Sequence, residues 1–383
     1  HAHSFGTETI PLERADGRVL TGEVRADRDY PPFNRASMDG YALRWAELQK
    51  GIRRFRVVEK VFAGAVATKD LPAGACYKIM TGAPVPAGVD VVIRREDTME
   101  EGSEMRVLSD PGKPFLNIAR QGEDMRKGDV VIDKPCICEP GTIGLLASLG
   151  QTELTVAKLP RVALITTGDE VVPVEKQPGP SQIRNSNRWL LQSLLKKWQI
   201  EPWFYRHAAD DKTALKTILA EALKADVLIL CGGVSAGDAD YVPEMLEAAG
   251  VTCLFHKLAI KPGKPVWCGV TPENTMVFAL PGNPFSCLVG FILLIQPYLQ
   301  ACFGLPAPAP SSLPLAALKK KKTPLDEFFP VRLHGVPARL HEVSLNGSGD
   351  IRSGMQAAAL ALHPAGEGDL PGGAEVIIFP LPW

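Results

Sequence analysis

Between residues 159 and 300 the chain alternates short apolar runs with amphipathic stretches, and this rhythm limits the fold more than any other feature. Residues 161–165 (Arg-Val-Ala-Leu-Ile) form a continuous apolar run, as expected of a strand covered on both faces. Residues 186–197 carry leucines at 190, 191, 194 and 195, the stripe of a helix with one buried face. Further strands are expected at 201–206, 226–231, 252–256, 266–269 and 275–280, and further helices at 212–224, 242–249 and 285–300. Strands alternating with helices in this way predict an α/β domain: a mostly parallel sheet with helices on both faces.

The flanks read differently. Residues 10–151 are short β-like runs (56–61, 75–80, 89–94) cut by Pro and Gly, and 141–150 is a short helix ending in a Gly cap. Residues 305–314 read as a stiff Pro-rich linker. Strands at 328–333, 340–345 and 375–379 then predict a small all-β domain. The apolar run 285–295 is too short for a bilayer, which needs about 20 residues, and reads as a buried core helix. The opening residues His1 to Gly6 lack the basic and apolar regions of a signal peptide.

The formal net charge of −1 gives no global basic field, which argues against a sequence-blind nucleic-acid binder. The eight cysteines contain no C-x-x-C pair, so neither a zinc site nor a disulfide scaffold is expected, and they read as thiols of a reducing cytoplasm. Gly 35 and Pro 33 together make about 18% of the chain, against an average near 12%. Where these turns fall is the informative point.

Ligands of open α/β sheets bind outside the carboxyl ends of the strands. Four Gly/Pro turns are expected there: Thr166 to Glu170, Gly232 to Tyr241, Lys257 to Pro265 and Pro281 to Pro284. Gly232 and Gly233 can turn successive N–H groups inward as an anion nest. Ser235, Asp238 and Asp240 follow. Carboxylates beside a phosphate site call for a hard cation such as Mg²⁺, although Asp240 could equally cap the following helix. Lys261 and Lys264 sit on a Pro-stiffened loop that suits phosphate or another oxyanion, or simply solvated lysines on a turn. Asn283 is expected to cap the helix that Pro284 begins. Asp169 and Glu170 are ligands or turn residues, and Asp210-Asp211 reads as a cap pair. Upstream, Tyr30 to Tyr41 reads from its chemistry as a structural turn around Asp39-Gly40.

In order, these segments resemble the molybdopterin molybdenumtransferase family, the MoeA-type enzymes related to the E domain of gephyrin. The resemblance rests on Ser-Met-Asp-Gly-Tyr (37–41), Met-Thr-Gly-Ala-Pro-Val-Pro (80–86), Gln-Gly-Glu-Asp (121–124) and Thr-Gly-Asp-Glu (167–170). Ser-Asn (186–187), Gly-Gly-Val-Ser-x-Gly-Asp-x-Asp-Tyr (232–241), Lys-Pro-Gly-Lys-Pro (261–265) and Leu-Pro-Gly-Asn-Pro (280–284) complete it. It implies four domains: an extended linking domain (1–30 with 126–158), a β-rich lobe (31–125), a three-layer molybdopterin-binding α/β domain (159–304) and a small C-terminal β-barrel (305–383). It implies a cytoplasmic homodimer that inserts molybdenum from molybdate into adenylylated molybdopterin, with Mg²⁺ and release of AMP. Contact with molybdopterin adenylyltransferase and molybdoenzyme maturation proteins is expected, and contact with nucleic acid or membrane is not.

Carried onto this sequence, Asp39 and Thr81 would approach from the partner subunit. Asp39, Asp240 and Glu170 would be catalytic, with Asp238, Asp240 and Glu170 around the metal. Substrate would meet Gly232, Gly233, Ser235, Asp210, Asp211, Lys257, Lys261, Lys264, Pro281 and Pro284, and be reached by Arg332 and Ser353. Cys231 departs from the family pattern, which favours a small residue such as Ser. Three alternatives stand beside this reading. A molybdopterin adenylyltransferase is disfavoured by Gly-Gly-Val-Ser where that family has Gly-Gly-Thr-Gly. A gephyrin-like scaffold would have no need of the acidic and lysine loops. A tungstate-specific homologue has no distinguishing residue.

Overall fold

A computed structural model describes residues 1–109, 112–234, 241–354 and 356–382, apart from the side chains of 351 and 353. The chain forms two compact units. The first comprises His1–Thr21, Pro135–Ile143 and Glu153–Trp383; the second comprises Gly22–Lys134 and Gly144–Thr152.

The main sheet of the first unit orders its strands Phe204–Ala208, Val162–Thr167, Val227–Cys231, Met276–Leu280, Trp267–Val270 and Thr252–His256. The first four are parallel, with Val162 opposite Val227 and Val227 opposite Met276. Trp267–Val270 runs antiparallel to both of its neighbours. The connection 257–266 explains this: it is shorter than the dozen or so residues that a parallel crossover needs.

Side chains along the parallel strands alternate between two cores, as a period of two requires. Val162, Leu164, Val227, Ile229, Met276 and Phe278 pack with Leu191, Leu194 and Leu195 of the helix Ser186–Lys196 and with the helix that begins at Pro284. Ala163, Ile165, Leu228, Leu230, Val277 and Ala279 pack instead with the helices Lys212–Ala222 and Val242–Ala248. With both faces of the strands buried, the continuous apolar runs have their physical explanation.

The helix Pro284–Cys302 is 19 residues long, with Phe291–Ile295 wound as a π-helix. It is long and apolar enough to span a bilayer, so its length alone does not exclude a membrane span. Two thirds of it is buried in the larger core, and that burial is what makes it a core helix.

The Pro-rich linker is also shorter than expected. Ser311–Pro314 is a strand paired antiparallel with Glu375–Pro380 at the edge of a second sheet, where proline costs little hydrogen bonding. That sheet orders Ile260–Lys261, Asp326–His334, Ala359–His363, Glu375–Pro380 and Ser311–Pro314. Arg339–Glu342 pairs with the far end of Asp326–His334, and a bridge joins Leu315 to Leu340. Leu315, Phe329, Val331, Leu340, Ala359, Ala361 and Val376 form its core. Ile260–Lys261 belongs to the Lys-Pro-Gly-Lys-Pro loop, so this loop is physically part of the C-terminal sheet.

In the second unit, the largest sheet has six strands, Gly40–Leu43 lying between Val91–Arg94 and Ala75–Ile79. Asp39-Gly40 is therefore not a free turn: Gly40 opens a strand, and a Cβ there would lie 1.9 Å from the Ile93 carbonyl oxygen.

Candidate functional site

From Val162–Thr167 the chain moves to Phe204–Ala208 on one side, while Val227–Cys231 lies on the other. This reversal of strand order is the place where open α/β sheets bind ligands. A cavity of about 1480 Å³ opens there, lined by residues of all four Gly/Pro turns and by the C-terminal sheet.

The α/β wall is built with backbone at very close quarters. Gly232 has φ +106° and its N–H donates to the Leu280 carbonyl. A Cβ at Gly232 would lie 2.5 Å from Thr167 Oγ1 and 2.9 Å from the Thr167 carbonyl oxygen. Gly233, with φ +67°, is blocked in the same way by Val242. Thr167 Oγ1 is buried without a hydrogen-bond partner among the described residues, which leaves it free to serve a ligand.

The first turn is staked from two sides. His207 contacts Thr166 Oγ1 through Nδ1 (3.0 Å) and the Gly168 carbonyl through Nε2 (3.1 Å). Asp169 N–H donates to Asp210 Oδ2 (3.3 Å) and Asp210 N–H donates to Asp169 Oδ1 (3.1 Å). Glu170 and Asp210 both line the cavity, whereas Asp211 turns away to accept from Ala214 N–H as a helix N-cap. Asn185 caps the helix Ser186–Lys196 by accepting from Arg188 N–H. Asn187 Nδ2 donates to the Gly282 carbonyl (2.5 Å), which ties the Pro281 turn to that helix. Pro281 and Pro284 line the cavity. Asn283 occupies the N-cap position without a side-chain cap: its Nδ2 donates instead to Ser348 Oγ (2.8 Å) of the C-terminal segment.

Lys261 and Lys264 are exposed on the wall. Lys322, Glu327, Phe328, Glu342 and Ser348 line it from the C-terminal segment. Lys257 does not line the cavity; it is exposed, has φ +67° and donates its N–H to the Val266 carbonyl. Arg332 is also off the wall and donates to the Gln356 carbonyl and side chain. Ser353 falls in the short helix Ile351–Gly354, but its side chain is outside what is described. Ser235, Asp238 and Asp240 lie outside the described residues. Among those described, no three His, Cys, Asp or Glu side chains form a metal cluster. Glu170 and Asp210 are hard oxygen donors, and one or two carboxylates completed by ligand phosphates and water are what Mg²⁺ takes.

In the second unit, Asp39 Oδ1 accepts from both Thr81 N–H (2.8 Å) and Thr81 Oγ1 (2.7 Å). Those two hydrogen bonds, with Arg95 adding to them, hold the exposed Asp39 carboxyl below its ordinary range. The pair that the motifs Ser-Met-Asp-Gly-Tyr and Met-Thr-Gly brought forward is thus one hydrogen-bonded unit.

Sequence reasoning passed over Thr167, Lys322, Glu327 and Glu342. Thr167 stands inside a quoted motif and could have been read from it. The other three lie where spacing carries no signal, since strand pairing alone brings them to the cavity.

Comparison with known proteins shows which family the chain is similar to. Residues 1–150 match the family described as "MoeA N-terminal region (domain I and II)", and residues 163–301 match "Probable molybdopterin binding domain". A molybdopterin molybdenumtransferase of Synechocystis is 34% identical over 88% of this chain and 85% of its own length. One of Staphylococcus aureus is 32% identical over 97% and 90%. The crystal structure of a molybdopterin biosynthesis MoeA protein from Pyrococcus horikoshii superposes with a TM-score of 0.83 at 30% identity, covering 99% of this chain and 96% of that one. The chain belongs to the molybdopterin molybdenumtransferase family, enzymes of molybdenum cofactor biosynthesis.

Proposed function

We propose that this enzyme inserts molybdenum from molybdate into adenylylated molybdopterin in the cavity at the strand-order reversal, with release of AMP. One observation carries the reading: the tight Gly232 and Gly233 turn, the exposed Lys261 and Lys264 and the carboxylates of Glu170 and Asp210 all line the same cavity. Thr167 Oγ1 receives a phosphate oxygen, and the Gly232 and Gly233 turn, with no Cβ, lets it come close to the backbone; Gly232 N–H itself is engaged by the Leu280 carbonyl, so the expected nest of two successive N–H groups is not complete. Lys261 and Lys264 hold molybdate near Pro281 and Pro284, where fixed ammonium groups stabilise charge developing as the phosphoanhydride breaks. Glu170 and Asp210, with Asp238 and Asp240 of the sequence that follows Gly233, would hold Mg²⁺. When bound, Mg²⁺ supplies charge neutralisation at the phosphoanhydride oxygens. Asp39 and Asp240 position metal or water and do not attack covalently.

In this reading the enzyme is a cytoplasmic homodimer, and the second copy brings its Asp39 and Thr81 to the cavity. The same reading divides the chain into the four domains stated above, the last a small barrel, a shape that the Leu315–Leu340 bridge supports. Molybdopterin adenylyltransferase supplies the substrate and molybdoenzyme maturation proteins accept the product.

Incubation with adenylylated molybdopterin, Mg²⁺ and molybdate or tungstate, following AMP, tests the proposal and ranks the two oxyanions. AMP release that Asp240→Ala and Asp39→Ala both abolish is expected, with the circular dichroism of each variant unchanged. Consumption of ATP with unadenylylated molybdopterin would point to an adenylyltransferase instead. Neither activity would leave the scaffold reading.

A further inference from the structure

The four lysines of residues 319–322 look equivalent in the sequence, but the fold separates them. Lys319, with only 1% of its side chain exposed, donates to Glu327 Oε1 (3.0 Å) and Glu342 Oε1 (2.9 Å) above the Phe329 ring. Lys321 Nζ donates to the carbonyls of Leu325, His363 and Pro364. Lys320 is exposed and off the cavity wall. Lys322 is the member of the run that lines the cavity. Its side chain is 61% exposed, and its ammonium meets Glu342 Oε1 at 3.4 Å.

That contact is loose. An ion pair so exposed contributes little stability, and a doubly charged anion in the cavity competes for Lys322 at small cost. Glu342 does not lose its charge compensation when Lys322 leaves, because Lys319 still holds it from the buried side. The placement of Lys322 is also not accidental to the site. Ile260–Lys261 pairs with Asp326–His334, with Lys261 directly opposite Glu327. Glu327 in turn is anchored to Lys319, so the sheet that carries Lys261 also carries the cluster that tethers Lys322.

We propose that Lys322 is a further anion-binding residue of this cavity, parked on Glu342 and recruited by the oxyanion or phosphate oxygens that Lys261 and Lys264 also meet. This rests on the functional reading above and deepens it: the C-terminal segment contributes a cation of its own to substrate binding.

Calorimetric titration of the full-length protein with inorganic molybdate, and separately with AMP, tests it. Lys322→Ala is expected to weaken binding of at least one probe about ten-fold, with an unchanged thermal melt and a shallower salt dependence, and Lys322→Arg to restore it. Loss for molybdate alone assigns Lys322 to the oxyanion, and loss for AMP alone assigns it to the phosphate; both support the proposal. Glu342→Gln frees Lys322 and removes a repelling carboxylate, so both titrations should tighten by a few-fold. Wild-type affinities in Lys322→Ala beside weakened binding in Lys261→Ala would overturn the proposal and leave the functional reading standing. Wild-type affinities in both variants would overturn that reading as well. Weaker binding in both Lys322→Ala and Glu342→Gln would make the ion pair a structural contact and overturn the parking.

Discussion

The two walls of the cavity are made by different means. The α/β wall is shaped by backbone at the carboxyl ends of parallel strands: glycines with positive φ at 168, 232 and 233 and a proline turn, with Glu170 and Asp210 beside them. The C-terminal wall is side chain: Lys322, Glu327 and Glu342 around the buried ammonium of Lys319. Backbone presents its dipoles without rotamer entropy and independently of pH, but it leaves no room for a Cβ. Charged side chains tolerate changes of size but not of charge balance. In the proposed function one wall fixes a phosphate and the other adjusts to it.

The sharpest way to break the contrast is to add a single carbon to the backbone wall. Gly232→Ala forces a Cβ to 2.5 Å from Thr167 Oγ1 at φ +106°, a conformation that costs roughly 1–3 kcal/mol of strain outside glycine. AMP release should fall by roughly 100-fold, because a displacement on the order of 1 Å at a binding turn can cost that much. Near-normal turnover would mean that the turn does not touch substrate.

The charged wall should fail by stability instead. Lys319→Met removes the ammonium that Glu327 Oε1 contacts and leaves a buried carboxylate whose Oε2 already lacks a partner among the described residues. Breaking such a pair costs roughly 3–5 kcal/mol, to be read in a denaturant midpoint. The double variant Lys319→Met/Glu327→Leu should recover most of the loss. No recovery would show that the pair does more than balance charge.

Smaller effects sharpen the same comparison. Asn187→Ala removes the donor to Gly282 and loosens the Pro281 turn, a loss of about 1 kcal/mol with a larger change in KM than in stability. Smaller still, thiol labelling maps how closed the α/β wall is. Cys231 and Cys287 lie 3.6 Å apart and buried, and their mutual contact together with burial pushes the Cys287 thiol well up. Cys253 is exposed. At pH 8 an aromatic disulfide reagent should modify Cys253 first and the buried pair last, and only after local opening. Early labelling of Cys231 would show that the cavity floor is open.

The comparison also explains what could be read from the sequence. Backbone-built features leave residue types that little else requires, so Gly232-Gly233, Lys-Pro-Gly-Lys-Pro and Pro-Gly-Asn-Pro were legible together with the strands they follow. The antiparallel return of Trp267–Val270 was not, because an apolar run carries no direction. Ala359–His363 was missed because an Ala- and Leu-rich run has no β-like signature; pairing on both sides makes it a strand. Asn283 was expected to cap, yet its amide met Ser348, far away in sequence. The run at 319–322 showed only charge, and nothing local distinguishes the buried Lys319 from Lys322 on the cavity. The partners that separate them, Glu327 and Glu342, become neighbours only through the C-terminal sheet.

In the proposed function both faces of this cavity bind one phosphorylated, oxyanion-dependent substrate. Its most direct test is AMP release from adenylylated molybdopterin with Mg²⁺, measured with and without molybdate in the wild type, Gly232→Ala and Lys261→Ala. Molybdate-dependent release in the wild type and its loss in both variants are expected. Release at the wild-type rate in both variants would contradict that function.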